Sequence, residues 1–147
     1  MDEIFISPLT DELVDSAHRT ERECLAEAWS RESIRNFIGK EDAIYLVAQK
    51  NGVVCGTAGM YLVSGEGQIM NIAVREEFRR QGFGTLLLDR LIQEGIKKGA
   101  RFFTLEVSSE NQAAIRLYER FGFRETGRRK NYYKNSDAVL MTLDRAE

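Results

Sequence analysis

Residues Phe78–Leu87 read FRRQGFGTLL, with two arginines, a glutamine and two glycines set directly before a run of leucines. Downstream, Phe83, Leu86, Leu87, Leu91, Ile92 and Ile96 recur at helical spacing, which predicts a helix from about Gly82 to Gly99. Upstream, GQIMNIAV (Gly67–Val74) reads as a strand. The loop between them falls where a helix start offers free backbone N–H groups and the positive end of its dipole. Gly82 and Gly84 let the backbone approach a ligand closely, and Arg79 and Arg80 add positive charge, a combination suited to a diphosphate. The stretch has neither the GKT or GKS ending of a Walker loop nor the three glycines of a dinucleotide fingerprint. An arginine-rich loop capping a core helix fits these residues equally well.

Outward from this loop the chain alternates strands and helices. EIFISPL reads as a first strand, and Thr10 as the N-cap of a helix to about Ala28 with Leu13, Val14, Ala17, Cys24 and Leu25 as its buried stripe. Ser30 caps a short second helix whose buried face is Ile34, Phe37 and Ile38. AIYLVAQ and VVCGTAGMYLV flank Asn51-Gly52, a pair that supplies the positive φ angles of a two-residue hairpin turn. After the central helix come a strand at Arg101–Val107, a helix in NQAAIRLYERFG ending at Gly122, and two last strands in FRETGRRKNYY and DAVLMTLD. The expectation is an α/β (α+β) domain over 1–147 with a mixed, mostly antiparallel sheet. The β-α-β crossover from Gly67 to Val107 requires two middle strands to run parallel.

Bulk properties narrow the function. A chain of 147 residues suits one domain with one substantial core. A net charge of −2 with dispersed lysines and arginines argues against direct nucleic-acid binding. No apolar run approaches a membrane span, and MDEIFISPL lacks a signal-peptide pattern, so the expectation is a cytoplasmic protein without membrane partners. Cys24 and Cys55 form no CxxC pair and have no histidine cluster, so no metal is expected. A Ser-His-Asp or Cys-His mechanism would have to use His18, the only histidine, which sits in a polar helical stretch.

Arg79, Gly82 and Gly84 fit the pattern R/Q-x-x-G-x-G/A between a strand and a helix, the acetyl-coenzyme A signature of the GNAT acetyltransferases. The resemblance extends to NIAV before the loop, LEV in the next strand, SENQAAIRLYERFGF after it, and RRKNYYKNSDAVLM near the end. The last string resembles one branch, the ribosomal-protein-alanine N-acetyltransferases (the RimI type), kin of the protein N-terminal acetyltransferases. The resemblance implies the GNAT fold, with about seven strands flanked by about four helices, and acetyl-CoA as cosubstrate. It implies that the backbones of Ile72, Ala73 and Val74 pair with the pantetheine arm like an extra strand. The backbones of Arg80, Gln81, Gly82, Phe83, Gly84 and Thr85 would hold the diphosphate, with Phe83 chiefly a core residue. Asn111 matches the family's cofactor-contacting asparagine, although Asn at a helix start is also a common N-cap.

An acetyl transfer to an amine needs a group that accepts the amine's proton and one that protonates the departing thiolate. The resemblance assigns the first role to Glu106, the only carboxylate in TLEVSS, directly or through a water. Strand alternation alone would as readily turn Glu106 to solvent. The second role goes to Tyr118, whose phenol is protonated at neutral pH; its ring also fits a helix core with Ile115, Leu117 and Phe121. Tyr132 and Tyr133, before the loop KNSD, and Trp29 are expected to line the groove for a peptide N-terminus, against the alternative of packing under loops. The wall that in this family commonly reads aromatic-Pro-Trp-Ser is here Glu27-Ala28-Trp29-Ser30, without the proline. The activity implied is acetylation of a protein N-terminus, that of a small-subunit ribosomal protein beginning with alanine. Another N-terminus, a lysine or a small amine is the runner-up, and an acyl-CoA-binding module without turnover the rival of a different class.

Overall fold

The computed structural model describes residues 2–144, so Met1 and residues 145–147 of the expected domain lie outside them. One seven-stranded sheet runs through these residues in the order β1-β2-β3-β4-β5-β7-β6. Its strands are β1 (Ile4–Pro8), β2 (Ala43–Lys50), β3 (Val53–Val63), β4 (Glu66–Val74), β5 (Phe102–Ser108), β6 (Arg124–Tyr133) and β7 (Ser136–Asp144). Four α-helices flank it: α1 (Val14–Cys24), α2 (Arg31–Arg35), α3 (Phe83–Lys97) and α4 (Gln112–Arg120). Only β4 and β5 run parallel; the other strand pairs are antiparallel. The mixed sheet with a central crossover is the architecture expected from the sequence.

Local chemistry explains the regular parts. Asn51 and Gly52 take φ of +53° and +82°, the pair of positive angles that joins β2 to β3 in two residues. Ser64 and Gly65 repeat the device between β3 and β4. α3 buries Phe83, Leu87, Leu88, Leu91, Ile92 and Gly95 against the sheet. Leu88 and Gly95 take the places of Leu86 and Ile96, which face solvent. A Cβ on Gly95 would lie 2.7 Å from Met60 Cε and 2.8 Å from Phe103 Cε2, so the glycine sets how closely α3 approaches.

The first helix departs from expectation. Thr10 makes no side-chain cap bond, Asp11–Leu13 form a 3-10 turn, and α1 ends at Cys24 rather than near Ala28. Val14 and Ala17 are buried as expected, but Thr20 and Glu21 complete the buried face while Leu13, Cys24 and Leu25 are half-buried. Leu25 is extended (φ −117°, ψ 139°), because the chain turns away to seat Trp29 against the sheet. α2 likewise stops at Arg35, leaving Ile38 exposed in the turn beyond it.

Two apolar clusters lie on opposite faces of the sheet. One gathers Leu46, Met60, Leu87, Leu91, Phe103, Leu105, Val107 and Tyr118 beneath α3 and α4. The other gathers Val14, Ala17, Ile34, Phe37, Tyr45 and Val47, with Trp29 packed on it, beneath α1 and α2. Gly67, where β4 pairs with β5, allows Phe103 to cross it: a Cβ there would meet Phe103 Cδ2 at 2.5 Å and Met60 Sδ at 2.9 Å. Gly67→Ala is therefore expected to destabilise the fold by about 1–3 kcal/mol through overpacking, read as a lowered midpoint in denaturant unfolding.

Candidate active site

The central parallel pair is short. β4 and β5 pair only at Glu66–Phe102, Gly67–Phe103 and Gln68–Thr104, after which each strand continues without the other. The cause lies on the other edge of β4. There Gly59 pairs with Asn71 and Met60 with Ile69, so Met70 is an extra residue, a β-bulge that bends the strand away. The edge from Ile69 to Val74 thus has no strand partner across the gap to β5, and Ile72, Ala73 and Val74 all lie on it. Backbone donors and acceptors in such a place need partners.

At the top of the gap stands the glycine loop. Arg79 Nε donates to the Val74 carbonyl at 2.8 Å, tying the loop to the end of β4. Arg80 has φ of +65° and Gly82 of +89°, so the chain turns twice through the left-handed region before α3 begins. No side chain caps α3, and the first helical bond runs from Leu86 N–H to the Gly82 carbonyl. The N–H groups of Phe83, Gly84 and Thr85 precede that bond and remain available. A Cβ on Gly82 would meet nothing within 4 Å, so the space beside it is open. Gln81 points elsewhere: its Oε1 accepts from Lys50 Nζ at 2.6 Å, which also brings a cation beside the loop. Phe83 is core, 2% exposed.

Glu106 and Tyr118 lie on opposite faces of the sheet. Phe103, Leu105 and Val107 belong to the cluster beneath α3 and α4, so alternation places Glu106 on the other face of β5. Its side chain is 30% exposed, and Oε2 is 3.2 Å from Arg129 Nε. Tyr118 is buried under α4 with its ring 5.7 Å from that of Phe123. Burial pushes its phenol up to about 12, so the hydroxyl keeps its proton throughout the neutral range. Asn111 caps α4, its Oδ1 accepting from Ala114 N–H at 3.2 Å.

The Glu106 face carries the aromatic residues. The end of β6–β7 is pinned to the end of β5 through Asp137. Its N–H donates to Ser109 Oγ (3.0 Å), its carbonyl accepts from Ser109 N–H (2.9 Å), and its carboxylate accepts from Asn131 N–H (2.9 Å) and Arg128 (3.1 Å). Ser136 and Ser108 hydroxyls add a bond of 2.7 Å. This carries Tyr132 and Tyr133, in edge contact at 5.2 Å, over Glu106. Arg129 bridges the two, paired with Glu106 and lying 5.3 Å over the Tyr132 ring. Burial raises the Tyr133 phenol above its ordinary value, reinforced by the negative charge of Glu106 and then by Tyr132 and Glu27. Trp29 stands on the opposite side, stacked on Phe37 at 5.0 Å and touching β3 at Gly59, the partner of Asn71. Asn71 shares that face, and its Oδ1 is buried without a hydrogen-bond partner. Sequence reading passed over Asn71, Asp137 and Glu21, because their signal is a bulge, a hairpin register and a burial that only long-range pairing creates. Trp29, Asn71, Glu106 and the Tyr132–Tyr133 pair thus belong to one face of the sheet.

Residues 11–123 match the acetyltransferase (GNAT) family, and the chain belongs to it. It is an acetyl-transferring enzyme with that family's mixed sheet. Over 142 residues it is 36% identical to the [ribosomal protein bS18]-alanine N-acetyltransferase of Escherichia coli (strain K12), covering 94% of this chain and 95% of the relative. It is 35% identical over 149 residues to the enzyme of the same name from Salmonella typhimurium, covering 97% of each. The crystal structure of the ribosomal-protein-S18-alanine N-acetyltransferase from Escherichia coli superposes with a TM-score of 0.89 at 34% identity, over 99% of this chain and 96% of that one. Ard1 from Thermoplasma volcanium superposes at 0.85 and 27% identity, over 98% and 99%.

Among the described residues no group of three or more His, Cys, Asp or Glu side chains could hold a metal ion, and no helix is long and apolar enough to cross a membrane. Because burial pushes the Tyr118 phenol up to about 12, the ultraviolet difference between wild type and Tyr118→Phe should show no phenolate signal at pH 10 and gain one only as the pH nears 12.

Proposed function

We propose that this enzyme acetylates the α-amino group of a protein N-terminus, the terminal alanine of a small-subunit ribosomal protein, with acetyl-CoA as donor and residues 1–147 acting as one unit. The observation that carries the reading is the division of the gap: an uncapped helix start and a protonated phenol on one face, a carboxylate among aromatic walls on the other. The relatives named for alanine acetylation of bS18 share 35–36% identity over nearly the whole chain, which supports this substrate over a lysine or a free amine.

The residues fit acetyl-CoA. Open space beside Gly82 and the free N–H groups of Phe83, Gly84 and Thr85 suit a diphosphate, with Arg80, Gln81 and Asn111 bordering it. The unpaired edge at Ile72, Ala73 and Val74 suits an extended amide-bearing arm, which would pair with it as an added strand. When bound, the donor supplies the acetyl group as a thioester.

An α-amino group has a pKa near 8 and is mostly protonated at neutral pH, so a base must take a proton before it can attack. Glu106 faces the groove through which the acceptor enters, and its carboxylate accepts that proton directly or through one water. Arg129 holds one carboxylate oxygen at 3.2 Å and so fixes the direction in which the other points. Tyr118 lies on the α3–α4 side, where its hydroxyl donates a proton to the departing sulfur. Trp29, Tyr132 and Tyr133 exclude water and orient the incoming terminus between them. Asn71 Oδ1 offers an acceptor on the same face for an N–H of that terminus. A binding module without turnover would have use for neither Glu106 nor Tyr118.

Glu106→Gln and Tyr118→Phe are each expected to lower turnover roughly 100-fold or more while leaving acetyl-CoA affinity nearly intact, measured by coenzyme A release and by calorimetry. Gly82→Val, which fills the open space and forces a β-branched residue into φ of +89°, is expected to abolish acetyl-CoA binding. The reading itself is tested by mass spectrometry on synthetic peptides. A single acetyl group on a free N-terminal Ala-Arg peptide, and none on the same peptide with its terminus blocked and lysines free, is the expected outcome. Labelling of the blocked peptide would transfer the reading to lysine.

A further inference from the structure

Glu21 is 0% exposed, although it is a carboxylic acid on a helix that otherwise presents charges to solvent. A buried carboxyl group is costly unless its oxygens are satisfied. Both are. Oε2 accepts from the Tyr45 hydroxyl, and Oε1 accepts from the backbone N–H of Trp29 at 3.0 Å. The Tyr45 phenol is raised well above its ordinary value, by burial and then by the Glu21 charge, and so stays a donor. Three residues earlier on the same helix face, His18 Nδ1 lies 3.0 Å from the Trp29 carbonyl and donates to it. Both polar backbone groups of one residue are therefore gripped by two side chains of α1. Neither side chain takes part in the proton transfers described above.

What they grip is one wall of the groove. Trp29 stacks on Phe37, lies 6.2 Å from the Tyr61 ring, and rests 3.2 Å from where a Cβ on Gly59 would be. The segment from Leu25 to Ser30 has no helix or strand of its own to fix it. Ala28 immediately before Trp29 leaves φ unconstrained, so the order of this wall comes from bonds outside the segment. We propose that Glu21, with His18, is a positioning residue for the acceptor: the pair clamps the Trp29 backbone and so sets the width of the groove that receives the peptide N-terminus. The proposal rests on the assignment of this groove to the acceptor. On that assignment a loosened clamp weakens the acceptor and leaves the donor untouched, since the donor's loop and strand edge touch neither α1 side chain.

Trp29 is the only tryptophan in the chain, so its fluorescence reports the wall directly. The test compares full-length wild type, Glu21→Ala, Glu21→Gln and His18→Ala by emission spectrum and by steady-state kinetics with an Ala-starting peptide and acetyl-CoA. Glu21→Ala and His18→Ala should shift the emission and raise KM for the peptide, about tenfold or more for Glu21→Ala, with KM for acetyl-CoA unchanged. Glu21→Gln keeps an acceptor oxygen for the Trp29 N–H and should stay near wild type in both readouts. If Glu21→Ala does not fold, His18→Ala, on a half-buried side chain, decides alone. Unchanged emission and peptide KM in the folded variants would overturn the proposal. So would a shifted emission with unchanged peptide KM, which would make the pair a loop anchor only. Wild-type enzyme that acetylates none of the free N-termini would instead overturn the function assigned above, whatever the emission shows.

Discussion

Everything in the site depends on β4 and β5 being joined at one end and parted at the other. The joined end is held by packing that leaves no room for a Cβ: Gly67 against Phe103, Gly95 against Met60 and Phe103. The Gly65 carbonyl reinforces it by accepting from Arg101 N–H at 2.7 Å. The parted end follows from one extra residue, Met70, which breaks the register with β3 and bends β4 away from its neighbour. A parallel pair that stayed closed to Val74 would satisfy its own backbone and offer nothing to a ligand. Opened, it leaves an edge that an extended chain can complete, within reach of a helix start whose N–H groups are likewise uncommitted.

The wedge also separates two chemical environments. Beneath α3 and α4 the face is apolar, and burial there holds the Tyr118 proton firmly. On the other face Glu106 keeps partial contact with water and a cationic partner in Arg129, which also lies over the Tyr132 ring. The sheet thus separates a carboxylate in partial contact with water from a phenol that holds its proton. The Asp137 bonds to Ser109 and Asn131 bring the β6–β7 end to the same place, so this face is assembled from segments distant in the chain.

Residues whose signals are local could be read without the structure. The Asn51-Gly52 turn, the helix that begins at Phe83 and the glycine loop each depend on neighbours within a few positions, and each lies where the pattern put it. The length of α1 did not follow, because helical spacing continues past Cys24 and what ends the helix is the seating of Trp29 against β3. Likewise Leu86 and Ile96 fit the helical period as well as Leu88 and Gly95 do; contact with Met60 and Phe103 decides between them. The bulge at Met70 has no signature in IMNIAV, since a bulge is a property of two strands in register and not of one. Glu106 and Tyr118 entered by resemblance; alternation and helical spacing alone left each open to an ordinary structural role.

The chain's glutamates show why burial by itself does not identify a base. Glu21 is the most enclosed, yet both its oxygens are occupied, one by a tyrosine hydroxyl and one by a backbone N–H that has no other acceptor. Its two oxygens are thus committed to Tyr45 and to the backbone of Trp29. Glu106 is less enclosed: Arg129 pairs with one of its oxygens, and it stands at the edge where the strands part. The base proposed above needs a vacant lone pair facing its substrate, and the register of β5 turns Glu106 away from the apolar cluster toward the aromatic face. On the function proposed above, the same comparison divides the labour along the groove: the satisfied carboxyl group fixes geometry, and the one with an oxygen to spare exchanges protons.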